Sequence, residues 1–518
     1  MRTKIFLGLI VFFALALRLY RLGEVPLGLY WDEASLGYNA YSISQTLRDE
    51  HGEFLPLSRF IAFGDYKPPA YIYAAAITIK FFGLSEFSIR LPSALAGTFL
   101  VLVSYFLAKE FLNKKIALVA ALLVAISPWS LQMSRAAFEA NLATLFSGLG
   151  ILLFLRSKYK TSALSFALAM YTFNSHRVFV PLMILFLLVI LGWKKKNLWK
   201  GFIFFLLVFA VLLLPLAPHL LSREGSLRFQ EVAWINDTSL IEQANKQIAG
   251  EGDSLVARLI HNRRVLFGQQ FLKHYADHFR ADFLFFTGDA NPKLSLQTHG
   301  ELYWLDLPLL LFGLYYLWRK KNRFSVILLG WLFLSPVPAA FARETPHALR
   351  ILQVLPVPQI IAALGLIKIL SFFRLKYLAV FLFFLPFFFY LHDYYLHYPK
   401  TFAMDWEYGY KEMVNYLREV ENKYDYIQIT GKYGRPYIYV LLYEKYPPEK
   451  YWQLRKVDRD WYGFWYVHSF DKYIFDDPVP PGKILYVRES EGTDPQAHIL
   501  KSILNPKEEV VFNIYDFN

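Results

Sequence analysis

The sequence has no cysteine, so disulfides, thiolate metal ligands and cysteine nucleophiles are excluded. Charge is also scarce, because Asp, Glu, Lys and Arg make up only 19% of the 518 residues. Walker motifs, serine nucleophile elbows and HExxH zinc motifs are absent as well. These absences argue against nucleotide-dependent, serine-hydrolase and zinc-peptidase chemistry, and any extracytoplasmic part must hold together by burial.

Long apolar runs are abundant. Hydrophobic residues account for 55% of the chain and aromatic residues for 18%, and the mean hydropathy is +0.29. This composition predicts an α-helical polytopic membrane protein in contact with membrane lipids. The formal net charge of +13 comes from short basic clusters between apolar runs, which indicates membrane topology and no nucleic-acid partner.

Basic clusters occupy every second connection between the apolar runs, so the positive-inside rule sets the topology. The N-terminus is expected in the cytoplasm and the C-terminus outside, in a plasma (inner) membrane. The threading predicts about eleven helices of bilayer length. Their expected ranges are 4–20, 91–108, 116–133, 140–155, 162–175, 178–193, 201–220, 302–318, 324–341, 351–370 and 377–392.

Two domains are predicted from this threading. The transmembrane domain is 1–392, with large outer loops at about 21–90 and 221–301. The apolar run at 70–83 has about fourteen residues, too few for a crossing, so we expect an interfacial helix there. Residues 393–518 alternate helix-like and strand-like runs, such as YDYIQIT and EVVFNIYDF, which predicts a small extracytoplasmic α/β domain.

The first outer loop holds an acidic pair, Asp32 and Glu33, in the run YWDEASLGYNAY. A helix is predicted to begin there, and the structural alternative is that the pair caps it. A carboxylate at the membrane surface is also suited to take the proton of an acceptor hydroxyl. The pair alone leaves both interpretations open.

Two cations follow in the same loop. Lys67 directly precedes two prolines, so its backbone is expected to be extended where a helix starts. Arg90 opens the second span in the run RLP, with Pro92 expected in the first helical turn. Each cation could anchor to ordinary headgroups or contact the phosphate of a lipid-linked substrate.

The third span ends in SPWSLQMSRAAFEANL, which puts Arg135 and Glu139 four residues apart. On a continuous helix this spacing predicts an ion pair. The functional alternative is that Glu139 orients an acceptor or supports Asp32, with Arg135 positioning it.

Several more cations are expected on the outer side, against their usual cytoplasmic bias, and an anionic ligand would account for them. They are His176, Arg177, His347 and Arg350. Arg350 is the strongest of these, because it starts a helix whose dipole also favours anions. His299 and Glu301, before the eighth span, are weak as a metal site because no third ligand accompanies them.

The order of these motifs, DE, then KPP, then RLP, then SP followed by SR and an acidic residue, resembles the GT-C membrane glycosyltransferases. The resemblance is to the group that contains protein O-mannosyltransferases and the lipid A aminoarabinose transferase, including bacterial members with an RgtA/B/C/D-like domain. It covers about residues 5–370, and the tail matches much less specifically.

The resemblance implies a GT-C fold and inverting transfer of a sugar from a polyprenyl-phosphate donor to a lipid, glycan or protein hydroxyl outside the cell. It also implies Asp32 as general base with Glu33 beside it, Lys67 and Arg90 as phosphate contacts, and Glu139 as the acidic residue of the second outer loop. Arg177 and Arg350 are placed near the phosphate by the threading.

Cofactors are not expected. The aminoarabinose transferases carry a metal-associated glutamate before the KPP lysine, and Tyr66 stands there in this chain, which argues against a bound divalent metal. The chemistry needs no nucleotide either, because a phosphate leaving group is stabilised by fixed positive charge and the base activates the acceptor.

Two alternatives stay open. An oligosaccharide ligase or polymerase would use similar charges on a lipid diphosphate. A transporter or flippase of lipid-linked sugars would carry ionisable residues or broken helices near the centre of the membrane, and the apolar runs here have almost no charge at their centres.

Overall fold

The computed structural model describes residues 2–63, 65–192, 199–222, 225, 233–234, 238–371, 376–459 and 465–517. The basic residues predicted as cytoplasmic at 194–196 and 374 lie outside these ranges. Contacts divide the chain into two compact units, each built from distant segments. The first unit comprises 1–14, 97–133 and 140–387, and the second comprises 15–96, 134–139 and 388–518. The domain boundary expected at 392/393 stays a prediction.

Helices dominate the described chain. In chain order they are α1 Arg2–Leu19, α2 Trp31–Thr46, α3 Pro69–Phe82, α4 Glu86–Phe111, α5 Lys114–Ile126, α6 Pro128–Ser134, α7 Glu139–Leu155, α8 Tyr159–Met170, α9 His176–Gly192, α10 Trp199–Leu213, α11 Ala217–Leu221, α12 Thr238–Gly250, α13 Leu255–Ile260, α14 Arg263–Asp277, α15 Asp306–Lys320, α16 Arg323–Leu334, α17 Val357–Leu370, α18 Lys376–His392, α19 Tyr398–Thr401, α20 Tyr410–Val420, α21 Pro436–Tyr443 and α22 Pro448–Leu454. Two π-helical turns span Asp282–Phe286 and Asp393–His397.

Within the residues that the structure describes, four helical segments are long and apolar enough to cross a membrane, and the bent pair of α5 and α6 would make five. They are Glu86–Phe111, Trp199–Leu221, Arg323–Phe341 and Leu352–Leu370. The chain is therefore a multi-pass helical membrane protein. Each of the eleven expected ranges overlaps a described helix. How many of them cross the membrane stays a prediction, as does the orientation.

The third expected span is not one straight helix. Residues 114–126 and 128–134 form two helices bent by 54° at Ser127. The break has a local cause, because Ser127 precedes Pro128 and adopts an extended ψ of 132°, away from the helical region. Since α6 ends at Ser134 and α7 begins only at Glu139, the expected helical pairing of Arg135 with Glu139 was wrong.

In the first unit, small residues let helices approach closely. Gly313 in α15 faces α17, and a Cβ at this position would collide with the carbonyl of Ile361. Gly365 in α17 faces α15, and a Cβ there would collide with the carbonyl of Leu309. Close backbone contact of this kind is a common way to join helices in membranes, where exclusion of water contributes little to their association. It makes α15 and α17 a tightly packed pair.

The second unit contains a mixed seven-stranded sheet, which lies in the C-terminal region where an α/β domain was expected. The strands are β1 Phe60–Ala62, β2 Asp65–Lys67, β3 Tyr426–Ile429, β4 Lys456–Arg459, β5 Trp465–Phe470, β6 Tyr473–Phe475, β7 Ile484–Arg488, β8 His498–Leu504 and β9 Val510–Asp516. The sheet order is β4-β5-β6-β3-β7-β9-β8, with β3 parallel to β6 and β7 and the other pairs antiparallel. β1 and β2 form a separate antiparallel ribbon.

Helix α21 links this sheet region to the loop that carries the acidic pair. Its residues Ile438 and Leu441 are fully buried, and its Tyr439 ring stacks on Tyr410 with centroids 4.0 Å apart. The Tyr439 hydroxyl donates to the carbonyl of Leu29 at 3.0 Å, just before α2 begins. The start of α2 is therefore held by the C-terminal region of the same unit.

Candidate active site

The first turn of α2 meets strand β2 at a carboxylate and an ammonium group. Oδ1 of Asp32 lies 3.0 Å from Nζ of Lys67. Lys67 is the last residue of β2, and the extended Pro68 after it leads into α3 with Pro69 at the first helical position, as the KPP run predicted. The side chains are 27% and 13% exposed, so the pair is reachable from solvent.

One residue further on, Glu33 forms a wholly buried pair with Arg90. Nε and Nη2 of Arg90 each donate to one carboxylate oxygen at 2.9 Å, and both side chains have zero exposure. Nη1 donates to the carbonyls of Leu22 and Pro26, and Nη2 also donates to Gly28. All five N–H donors of Arg90 are used within the protein. The expectation that Arg90 contacts a phosphate is at odds with this geometry.

Two features of the sequence allow Glu33 and Arg90 to form this buried pair. Gly28 has φ +79°, and a Cβ there would collide with the carbonyl of Trp406, whose ring lies 5.6 Å from Cζ of Arg90. Helix α4 begins at Glu86, so Pro92 lies in its second turn, and the expectation of the first turn was wrong. Pro92 has no N–H to donate to the carbonyl of Ser88. That carbonyl instead accepts a hydrogen bond from the Thr78 hydroxyl at 2.7 Å.

Arg135 is a second buried arginine with all five donors engaged. It lies between α6 and α7 and donates to four backbone carbonyls and to the hydroxyl of Tyr394 at 3.0 Å. The carbonyls belong to Leu17, Arg18, Arg21 and Val25. The carbonyls of Leu17 and Arg18 lie in the last turn of α1, where helical carbonyls lack partners of their own, and those of Arg21 and Val25 follow the helix. Arg135 therefore caps α1 and holds the chain that leads to Asp32.

Glu139 lies close to the acidic pair. It is the first residue of α7 and is buried, at 5% exposure. Burial raises the pKa of Tyr30 well above its usual value, and the negative charges of Asp32, Glu139 and Glu33 raise it further. Three predicted acidic residues thus surround one tyrosine. The Glu33 carboxylate also accepts the N–H of Ala137 at 2.7 Å, which ties the acidic pair to the segment before α7.

The other predicted cations lie in the first unit. His176 is buried at the start of α9, with Nε2 3.4 Å from the hydroxyl of Ser147. Arg177 donates from Nε to the carbonyl of Met170 at 3.4 Å. Arg350 has Nη2 3.7 Å from the carboxylate of Glu344 and remains 19% exposed. Their proposed contact with a phosphate stays a prediction.

A buried carboxylate cluster in the first unit was only partly anticipated. Oε1 of Glu301 accepts the N–H of Asp289 at 3.1 Å, and Asp289 accepts the N–H of Ala348 at 2.6 Å. His347 Nδ1 lies 3.9 Å from Asp289, whereas His299 Nδ1 is 3.0 Å from the neighbouring Thr298 hydroxyl. In the described part of the chain, His299 and Glu301 belong to no group of three metal-ligating side chains.

Sequence reasoning missed Asp289, Arg18 and the partners of Arg135. Asp289 leaves no local pattern in the sequence, because its link to Ala348 spans 59 residues. Arg18 is fully buried in the last turn of α1, where its Nε donates to Ser134 at 3.2 Å. An arginine inside an apolar helix was the available signal for it.

Residues 66–221 match the family of dolichyl-phosphate-mannose-protein mannosyltransferases. The matched segment makes up less than a third of the chain, which is similar to this family over that segment. The family segment includes Lys67, Arg90, Arg135, Glu139 and Arg177, whereas Asp32 precedes it. This similarity agrees with the resemblance expected from the order of the motifs.

Individual relatives are distant. A protein of Aquifex aeolicus (strain VF5), described as uncharacterized, is 28% identical over 183 residues, which cover 33% of this chain and 44% of the relative. The match therefore spans less than half of that relative. The archaeal oligosaccharyltransferase AglB of Archaeoglobus fulgidus matches with a TM-score of 0.49 and 14% identity, over 85% of this chain and 63% of AglB.

ArnT of Cupriavidus metallidurans matches along its whole length. The apo structure gives a TM-score of 0.58 at 12% identity, over 99% of this chain and 98% of ArnT. The structure bound to undecaprenyl phosphate gives 0.55 at 11% identity, over 98% and 97%. At such low identity the match establishes a shared fold, that of a helical membrane protein with a C-terminal mixed-sheet region.

Proposed function

We propose that this protein is an inverting glycosyltransferase that moves a sugar from a polyprenyl-phosphate donor to an acceptor hydroxyl on the outer face of the plasma membrane. The observation that carries the proposal is the difference between two adjacent carboxylates. Asp32 is partly exposed beside Lys67, whereas Glu33 is sealed in a buried pair with Arg90. One carboxylate is thus available to a substrate, and its neighbour holds it in place.

Asp32 serves as the general base. It takes the acceptor O–H proton while the acceptor oxygen forms a bond to the anomeric carbon from the face opposite the donor phosphate. The bond from that carbon to the phosphate oxygen breaks at the same time, and the polyprenyl phosphate leaves with both bonding electrons. A base so placed contributes about 10²- to 10⁴-fold to the rate.

In the proposed mechanism Lys67 contacts Asp32 first and the donor phosphate afterwards. Without a donor its ammonium group lies 3.0 Å from Asp32 and neutralises the base. A donor phosphate competes for the same cation, because charge-assisted hydrogen bonds to a phosphate are strong. Binding of the donor therefore draws Lys67 away from Asp32, frees the carboxylate for the acceptor proton and stabilises the leaving phosphate.

Glu33, Arg90 and Arg135 are positioning residues in this mechanism. Arg90 and Arg135 together donate to seven backbone carbonyls between residues 17 and 28, the segment that leads into α2. Fixing this segment fixes the first turn of α2 and with it Asp32. We assign Glu139 to orientation of the acceptor, and Arg177 and Arg350 to further phosphate contacts. His176, His347, His299, Glu301 and Arg135 stay support residues.

The similarity to two groups of proteins supports the donor class. The matched family is named for dolichyl-phosphate-mannose, and ArnT has been crystallised with undecaprenyl phosphate. Both carriers are polyprenyl-type phosphates, so polyprenyl-phosphate mannose is the first donor to try. The acceptor class stays open.

The test uses the purified full chain in lipid vesicles with polyprenyl-phosphate mannose and a panel of protein, glycan and lipid acceptors. We expect release of polyprenyl phosphate, measured by mass spectrometry, to require a donor and one acceptor class. Asp32→Asn should lower the rate by at least about 100-fold, because amide cannot take the proton.

The matched control is Glu24→Gln, an exposed carboxylate in the same loop that pairs with Arg21. It should turn over at the wild-type rate. Near-normal turnover by folded Asp32→Asn protein would contradict its role as base. Release of a diphosphate instead of a monophosphate carrier would favour the ligase or polymerase alternative.

A further inference from the structure

A cluster of potential metal ligands lies outside the site described above, where α18 ends. The chain continues from His392 into the π-helical turn Asp393–His397, in which the N–H of Tyr398 donates to the carbonyl of Asp393, five residues back. In an α-helix, residues five apart differ by about 140° around the axis and face different ways. The wider π turn instead brings the rings of His392 and His397 to 4.9 Å between centroids.

The ligand atoms of three side chains converge there. One nitrogen of each histidine and one carboxylate oxygen of Asp393 lie within 4.8 Å of one another. Nδ1 of His392 is 3.4 Å from Oδ1 of Asp393. Two ligands of a tetrahedral zinc ion with bonds of 2.0–2.1 Å are separated by about 3.3 Å. One ligand pair already has this separation, and side-chain rotation of His397 would close the third corner.

We propose that His392, Asp393 and His397 form a binding site for a divalent transition-metal ion of the zinc type. Two imidazoles with one carboxylate suit zinc, whereas magnesium and calcium prefer oxygen ligands throughout. Both histidines are exposed, so water can complete the coordination. This is the one such group of three in the ranges that the structure describes.

The same turn carries a residue with an inward role. Tyr394 is buried at 1% exposure, and its hydroxyl accepts the N–H of Arg135. Asp393, His397 and the buried tyrosine therefore share one π turn, which directly follows His392. A bound ion would fix the turn and, through Tyr394, the buried arginine that caps α1. The inference does not depend on the proposed glycosyl transfer.

The experiment is zinc titration of the full chain in detergent, prepared metal-free and without a polyhistidine tag, against a zinc-sensitive fluorescent dye. We expect one ion to bind and to raise the unfolding temperature of the wild type. His392→Ala and His397→Ala should each weaken zinc binding at least about tenfold, which is the smallest loss usual at metal sites. Both side chains are exposed, so the metal-free variants should unfold at the wild-type temperature.

A matched control exists in the same unit. His498 is 55% exposed, as His392 is, and its Nδ1 lies 3.2 Å from a carboxylate oxygen of Asp516. This histidine has one carboxylate neighbour but belongs to no three-ligand group within the described residues. His498→Ala should bind zinc as the wild type does. Equal zinc affinity in wild type, His392→Ala and His397→Ala, or no binding by the wild type, would overturn the proposal.

Discussion

The first turn of α2 and the loop around residues 287–301 each contain two carboxylates, but the partners of these carboxylates differ. In the first turn each carboxylate has a cation, Lys67 for Asp32 and Arg90 for Glu33. In the loop, Asp289 and Glu301 are buried and accept backbone N–H groups. Burial raises the pKa of Asp289 above its usual value and that of Glu301 well above it.

The difference teaches which carboxylates can act as a base. A partly exposed carboxylate beside a lysine can be reached by a substrate hydroxyl group. A buried carboxylate without a close cation is favoured in the neutral form, which cannot take a proton. The comparison therefore supports the proposal of Asp32 as the base, whereas the sequence suggested Glu301 only as a weak metal ligand.

The largest expected effect on folding comes from breaking the buried pair. Arg90→Met removes the cation that pairs with Glu33 and leaves this buried carboxylate with the N–H of Ala137. An unpaired buried charge costs about 3–5 kcal/mol of unfolding free energy. We expect a large drop in unfolding temperature, measured by size-exclusion chromatography of heated samples in detergent.

The control for this change is Arg258→Met, which breaks the exposed pair with Asp253. Exposed pairs contribute little, so its unfolding temperature should not move measurably. The double variant Glu33→Leu/Arg90→Met should recover part of the lost stability, because it leaves no charge buried. If Arg90→Met alone unfolds at the wild-type temperature, the structural role given to this pair is wrong.

A smaller effect should follow from Lys67→Met, and it should fall on donor binding. A hydrogen bond to a charged group contributes about 1.5–3 kcal/mol, so the apparent KM for donor should rise about 10- to 150-fold. Lys67→Arg should restore part of the affinity, since the cation is kept. Lys80→Met, in the last turn of α3, is the matched control. An unchanged KM for donor in Lys67→Met would contradict the proposed contact between this lysine and the donor phosphate.

The smallest effect should be the pH dependence at Glu301. Burial raises the pKa of Glu301 in the folded state. Its contribution to the free energy of unfolding is therefore complete below the unfolded-state pKa of about 4.3. That contribution is lost as the pH rises toward the folded-state pKa. The slope is at most about 1.4 kcal/mol per pH unit. Glu301→Gln should remove this dependence and raise the unfolding temperature at pH 7.

The measurement is a series of unfolding temperatures from pH 4 to 8. Wild type and Glu301→Gln should coincide at the acidic end and diverge as pH rises. The exposed residue Glu24 provides the control, because Glu24→Gln should leave the profile of the wild type unchanged. Parallel profiles for wild type and Glu301→Gln would mean that this carboxylate is ionised in the folded protein.

Local patterns in the sequence predicted much of the second unit. The KPP run predicted an extended Lys67 before a helix, and strand-like runs in the tail became β3, β7 and β9. These features depend on proline geometry and on the alternation of apolar residues, which act over a few neighbours. The four remaining strands of the sheet were not recognised, because their weaker patterns depend on pairing with distant partners.

Composition by itself determined that this protein is a multi-pass helical membrane protein, and motif order gave its resemblance to GT-C glycosyltransferases, with an acidic pair, a lysine and an arginine in one stretch. Only the tertiary structure decided that Asp32 is open, that Glu33 and Arg90 are sealed, and that Arg135 caps α1 rather than pairing with Glu139. The physical reason is that the burial of a charged side chain depends on the segments packed around it. Here those segments are 17–28 and 394–406, and no pattern near the acidic pair encodes their position.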